Sequence, residues 1–66
     1  MKVMLYVHEG NNEKFSGEVD FAVRPMTGES IEPGTIEGID HPVTITHVMY
    51  NKYWTYVLAE ESYVAI

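Results

Sequence analysis

Apolar and polar residues alternate with a period of two along most of this chain. Val3, Leu5 and Val7 alternate with Lys2, Met4, Tyr6 and His8, which predicts a first strand. The polar run from Glu9 to Lys14 contains Gly10, Asn11 and Asn12 and predicts a turn. Phe15, Gly17, Val19, Phe21 and Val23 then alternate with Ser16, Glu18, Asp20, Ala22 and Arg24. This predicts a second strand that pairs with the first as a hairpin. Pro25 ends it, because proline has no N–H to give to a ladder.

The middle of the chain is punctuated more densely. Met26–Glu29 and Pro33-Gly34 read as turns, with a short strand at Ser30–Glu32 between them. Thr35–Ile39 reads as another short strand with a bulge at Gly38, closed by Asp40-His41-Pro42. Val43–Tyr50 and Tyr53–Ala59 predict a second strong hairpin around Asn51-Lys52, and Ser62–Ile66 a last strand or an oligomer contact. No window has helical periodicity. The expected fold is all-β, a small SH3-like or related barrel of five to six short antiparallel strands in one domain spanning residues 1–66.

The second hairpin holds three of the five tyrosines and the only tryptophan. A two-residue turn at Asn51-Lys52 places Tyr50 opposite Tyr53 and Met49 opposite Trp54. Alternation then gives one face to Val43, Ile45, His47, Met49, Trp54, Tyr56 and Leu58, the expected core side. The other face carries Thr44, Thr46, Val48, Tyr50, Tyr53, Thr55, Val57 and Ala59, with no charge. Such a face fits a subunit interface or a ligand platform, since tyrosine combines rigid area with a polar tip. It equally fits the second wall of a closed barrel.

Composition adds constraints. A 66-residue domain without cysteine cannot be stapled by disulfides, and small domains often compensate by association, so a homo-oligomer is expected. The lack of cysteine suits a reducing compartment. The first eight residues are too short for a signal-peptide apolar region, and no run approaches the roughly 20 apolar residues of a membrane span. The expectation is a soluble cytoplasmic protein with no membrane partner. The net charge is −6, with only Lys2, Lys14, Arg24 and Lys52 as bases, which disfavours a nucleic-acid polymer as partner. A basic protein, or a small anion gathered by the scarce bases, is compatible with it.

Candidate chemistry is mostly excluded by spacing. His41 and His47 on one extended strand would stand roughly 20 Å apart, too far to share a metal, so no metal site or cofactor is expected. Ser16, Ser30 and Ser62 lack a nucleophile-elbow context, and no residues form a phosphate-binding loop. No spacing designates an acid and a base, so the chain reads as a non-enzyme. Binding chemistry is better supplied. Tyr50, Tyr53 and Trp54 offer rings for base stacking, Arg24 and Lys52 offer cations for phosphate, and Thr44 or Thr46 offers hydroxyls for a ribose or base edge.

The hairpin from Val3 to Val23, the crossover Pro25-Met26-Thr27-Gly28-Glu29-Ser30-Ile31 and the terminal hairpin from His47 to Val57 form a layout. That layout resembles very small phage-encoded β proteins, among them immune-evasion sponges of the anti-CBASS and anti-Thoeris type. The resemblance spans the chain and carries over no individual site residue. It implies a compact oligomer in the host cytoplasm that sequesters a cyclic nucleotide signal between subunits without cleaving it. Two other classes fit the same residues: an acidic, DNA-mimic-like inhibitor of a host protein, and a structural phage component.

Overall fold

The computed structural model describes residues 1–61, and the tail at 62–66 lies outside the described residues. Five strands form one curled sheet: β1 (Lys2–Glu9), β2 (Asn12–Asp20), β3 (Ser30–Ile31), β4 (Val43–Tyr50) and β5 (Thr55–Glu61), in the order β2-β1-β5-β4-β3. There is no helix among the described residues. The all-β, barrel-like expectation therefore holds, with the sheet left open between β2 and β3.

One pairing departs from the antiparallel expectation. β1 and β5 run parallel, with Met4 beside Tyr56 and His8 beside Glu60. Parallel neighbours need a long connection, and β2, β3 and β4 together supply it. β1 and β5 thus become the central strands, and their inner faces are the most apolar in the chain.

The first hairpin is tighter than its polar run suggests. Glu9 pairs with Asn12, so only Gly10 and Asn11 make the turn. Gly10 has φ of 56°, the positive value that a type II′ turn puts at its first central position. Lys14 is the extra residue of a bulge that lets β2 resume alternation at Phe15. β2 ends at Asp20 rather than Arg24, and the chain from Phe21 onward crosses one end of the sheet.

The concave face is the core. Val3, Leu5, Val7, Val43, Ile45, Val57 and Ala59 are buried there. Ile36 and Ile39 close it from the connection between β3 and β4. The segment Thr35–Ile39 is not the expected strand. It bonds to itself and its surroundings in turns, Ile39 N–H donating to Ile36 O at 3.1 Å and Gly34 N–H to Ile39 O at 3.1 Å. Gly38 sits in a turn with φ of 85° instead of at a bulge. Full burial of a side chain such as Leu5 stabilises by about 1.5–3 kcal/mol.

The second hairpin corrects the face assignment. Tyr50 pairs with Thr55, not Tyr53, so the loop is Asn51–Trp54. Asn51 Oδ1 accepts the amides of Tyr53 at 2.8 Å and Trp54 at 2.9 Å, and Asn51 N–H donates to Trp54 O. A second shift lies between Ile45 and His47, where Thr46 is the extra residue. The bulge switches the strand's parity. Val43 and Ile45 before it and Val48 after it all face the core, opposite Val57 and Ala59. His47, Met49, Tyr56 and Leu58 face outward instead.

Candidate functional site

The aromatic loop, the crossover and the start of β1 meet at one end of the sheet. Each arrives there for a local reason. The Asn51 side chain folds the loop so that Tyr53 and Trp54 follow Tyr50 around a tight bend. The crossover is pinned to β4 by Gly28 N–H donating to Ile45 O at 2.8 Å and Ile45 N–H to Glu29 O at 2.9 Å. Its turn is closed by Met26 N–H donating to Glu29 Oε1 at 2.7 Å. With both ends held, Arg24 comes to rest over the hairpin tip.

The result is a concavity of about 580 Å³, walled by Tyr50, Tyr53 and Trp54 and by the side chains of Lys2, Arg24 and Lys52. Three of the four basic side chains in an acidic chain line this one place. The fourth, Lys14, lies elsewhere, 3.7 Å from Glu9 Oε2. Among the described residues, the only carboxylate in the lining is Glu18. Arg24 stands over the Tyr50 ring at 5.6 Å from its centroid, and Lys52 over the Tyr53 ring at 5.7 Å. Both are cation–π distances.

Tyr50 is 72% exposed and Tyr53 77%, so neither ring serves the core. Trp54 was expected on the core side, opposite to the two tyrosines. At 40% exposure it lines the concavity with them, because the four-residue loop ends the strand before Trp54 can alternate inward. Met1 also lines the concavity, and its amino group donates to Asp20 Oδ1 at 2.8 Å and to Phe21 O at 2.6 Å. That hydrogen bond and the amine's charge hold the Asp20 carboxyl below the usual carboxylate range.

Of the residues singled out from sequence, Arg24, Tyr50, Lys52, Tyr53 and Trp54 are brought together. Thr44 and Thr46 are not. Thr44 lies between Ser30 and Glu60 in the ladder. Thr46 donates its hydroxyl to Leu58 O at 3.1 Å and lies 3.2 Å from His47 Nδ1, so its role is to hold the bulge. Sequence reasoning missed Lys2, which reaches the site because β1 runs parallel to β5 and so starts beside the loop that precedes β5. Its charge, as one of four bases in the chain, was the available signal.

Among the described residues there is no group of three or more metal-ligating side chains and no helix able to cross a membrane. Comparison with family models, with curated proteins and with solved structures gave no match.

Proposed function

We propose that this protein is a non-enzymatic binding protein for a small anionic ligand with a flat ring, of the cyclic-nucleotide class, acting as an oligomeric phage sponge in the host cytoplasm. The observation that carries this reading is the convergence of Lys2, Arg24 and Lys52 on the exposed rings of Tyr50, Tyr53 and Trp54. A nucleotide needs a π-face and a phosphate contact within a few ångströms of each other. Base stacking on an aromatic ring is worth about 1–3 kcal/mol.

The roles follow from geometry. The Arg24 fork matches two phosphate oxygens, and Lys52, over the Tyr53 ring, adds a point charge. Tyr50 and Tyr53 are the stacking surfaces. Glu18 accepts from an exocyclic amine or a ribose hydroxyl. The rings stand open to solvent, so a bound ligand or a second copy completes their burial. Sequestration requires affinity alone, in keeping with a site that holds cations and rings but no designated acid–base pair.

The test uses Trp54, the chain's only tryptophan, as reporter. Titration with a panel of cyclic dinucleotides and cyclic ADP-ribose isomers, followed by intrinsic fluorescence and calorimetry, is expected to show saturable quenching and heat with one member. Recovery of that member unchanged after heat release would establish sequestration. Silence from the whole panel at millimolar concentration would sink the proposal.

A further inference from the structure

The edge of β2 is open. β2 ends the strand order, and none of its nine residues pairs on the side away from β1 among the described residues. Phe21 N–H donates to Met1 O at 2.7 Å, which fixes the direction of the amides in this strand. Alternation then turns the amides of Val19 and Gly17 toward β1 and those of Ser16, Glu18 and Asp20 outward. Open edges of this kind are templates for another strand.

The two faces of the edge differ in chemistry. The convex face shows Ser16, Glu18 and Asp20, all exposed. The concave face shows Phe15, Gly17 and Val19, partly buried against the core. Past Val19 the same face opens on a cleft of about 450 Å³ between β2 and β3, lined by Phe21, Val23, Ile31 and Ile36 with Asp20 and Glu32 also in its wall. Val23 is 70% exposed there. Lys14, the one base on β2, is held by Glu9 on β1.

We propose that the β2 edge and this cleft receive an extended segment of a basic partner protein by β-strand addition. Its residues alternate: Lys or Arg on the convex side against Glu18 and Asp20, apolar side chains on the concave side against Phe15 and Val19. Backbone bonds supply affinity and the alternating side chains supply selectivity. A second copy of this chain fits poorly, because β2 against β2 brings acidic edges together, and like charges across a ladder destabilise it. Glu18 also lines the cation-lined concavity, so the two sites share that residue, whereas Phe15, Val19 and the cleft belong to this surface alone.

The test is a titration of isotope-labelled protein with an end-capped heptapeptide of alternating Lys and Val. Three controls accompany it: the same composition in block order, a Glu–Val alternating peptide, and the Lys–Val peptide N-methylated on the edge that faces β2. The alternating basic peptide is expected to slow exchange of the Ser16, Glu18 and Asp20 amides by about 10-fold or more. The three controls leave those amides unprotected. Glu18→Lys with Asp20→Lys, two exposed substitutions, should weaken the peptide by about 10-fold or more while the unfolding midpoint is retained. Equal binding by the block-order or N-methylated peptide overturns the proposal, as does peptide binding without protection at the β2 edge. So does a concentration-dependent dimer that protects the same amides without peptide, which would make a second copy the occupant.

Discussion

The Arg24 guanidinium lies 5.6 Å from the centroid of the Tyr50 ring, tying the crossover to the end of β4. Arg24→Ala is expected to weaken the nucleotide ligand by about 1–3 kcal/mol, the worth of a charge-assisted phosphate contact. Stability should fall only by about 0.5–1 kcal/mol, the value of an exposed cation–π pair. Calorimetry and urea unfolding on the same variant separate the two. Equal losses in both would make Arg24 a structural residue.

Asn51 holds the ring platform through two amides. Asn51→Ala removes both acceptor bonds and should cost about 1–2 kcal/mol of stability together with a shift in Trp54 emission. Asn51→Asp retains an acceptor in the same place and should keep the emission near that of the parent. Emission unchanged in the alanine variant would show that the loop does not depend on this side chain.

Thr46 separates two contributions at the β4 bulge. Thr46→Val removes the hydroxyl bond to Leu58 O and should cost about 0.5–1.5 kcal/mol. Deleting Thr46 removes the extra residue itself. Ile45, His47 and Val48 then follow one another in plain alternation and keep Ala59, Leu58 and Val57 as partners, so the core residues stay inward. Cooperative unfolding is expected to persist in the deletion variant. Loss of the cooperative transition on deletion would refute the parity argument.

Leu5 is fully buried on a central strand. Leu5→Ala should cost about 2–5 kcal/mol. A domain of this size is expected to hold about 3–10 kcal/mol in all, so the variant sits near the unfolding threshold at room temperature. Val23→Ala, at an exposed position, should move the urea midpoint little by comparison.

The Met1 amine and Asp20 give a small pH dependence. The Asp20 carboxyl titrates lower in the fold than in the unfolded chain, where it titrates near 3.9. Its contribution is therefore present above that value and fades as the pH falls through the lowered one. Carboxyl-carbon NMR should show Asp20 titrating below the ordinary aspartate range, and acetylating the amine should return it toward that range. The pair is exposed, so its share of stability is small.

Among the described residues, the sequence by itself determined the two hairpins and the absence of helix, while Thr35–Ile39 is not the strand that alternation predicts and β2 stops short of Arg24. Period-two alternation reports which backbone is extended, and Val43–Tyr50 emerges with the bounds the alternation implies. It also marked Arg24, Tyr50, Lys52, Tyr53 and Trp54 by chemical type. It did not determine which faces join. A two-residue turn and the observed four-residue loop are both compatible with Asn51-Lys52, and the choice depends on where the Asn51 side chain finds donors. The bulge left a trace, in the change from odd to even apolar positions between Ile45 and Val48, but that trace has meaning only once a core exists on one side.

Tertiary structure alone decided the rest. The parallel β1–β5 pairing joins residues about fifty positions apart. It is stabilised by burial of Leu5 against Val57 and has no local signature. The same long-range packing carries Lys2 and Arg24 to the aromatic loop and sends Thr44 and Thr46 into the ladder. Local alternation records the conformation of each segment. The meeting of distant segments is set by which apolar faces exclude water together, and that is a property of the whole chain.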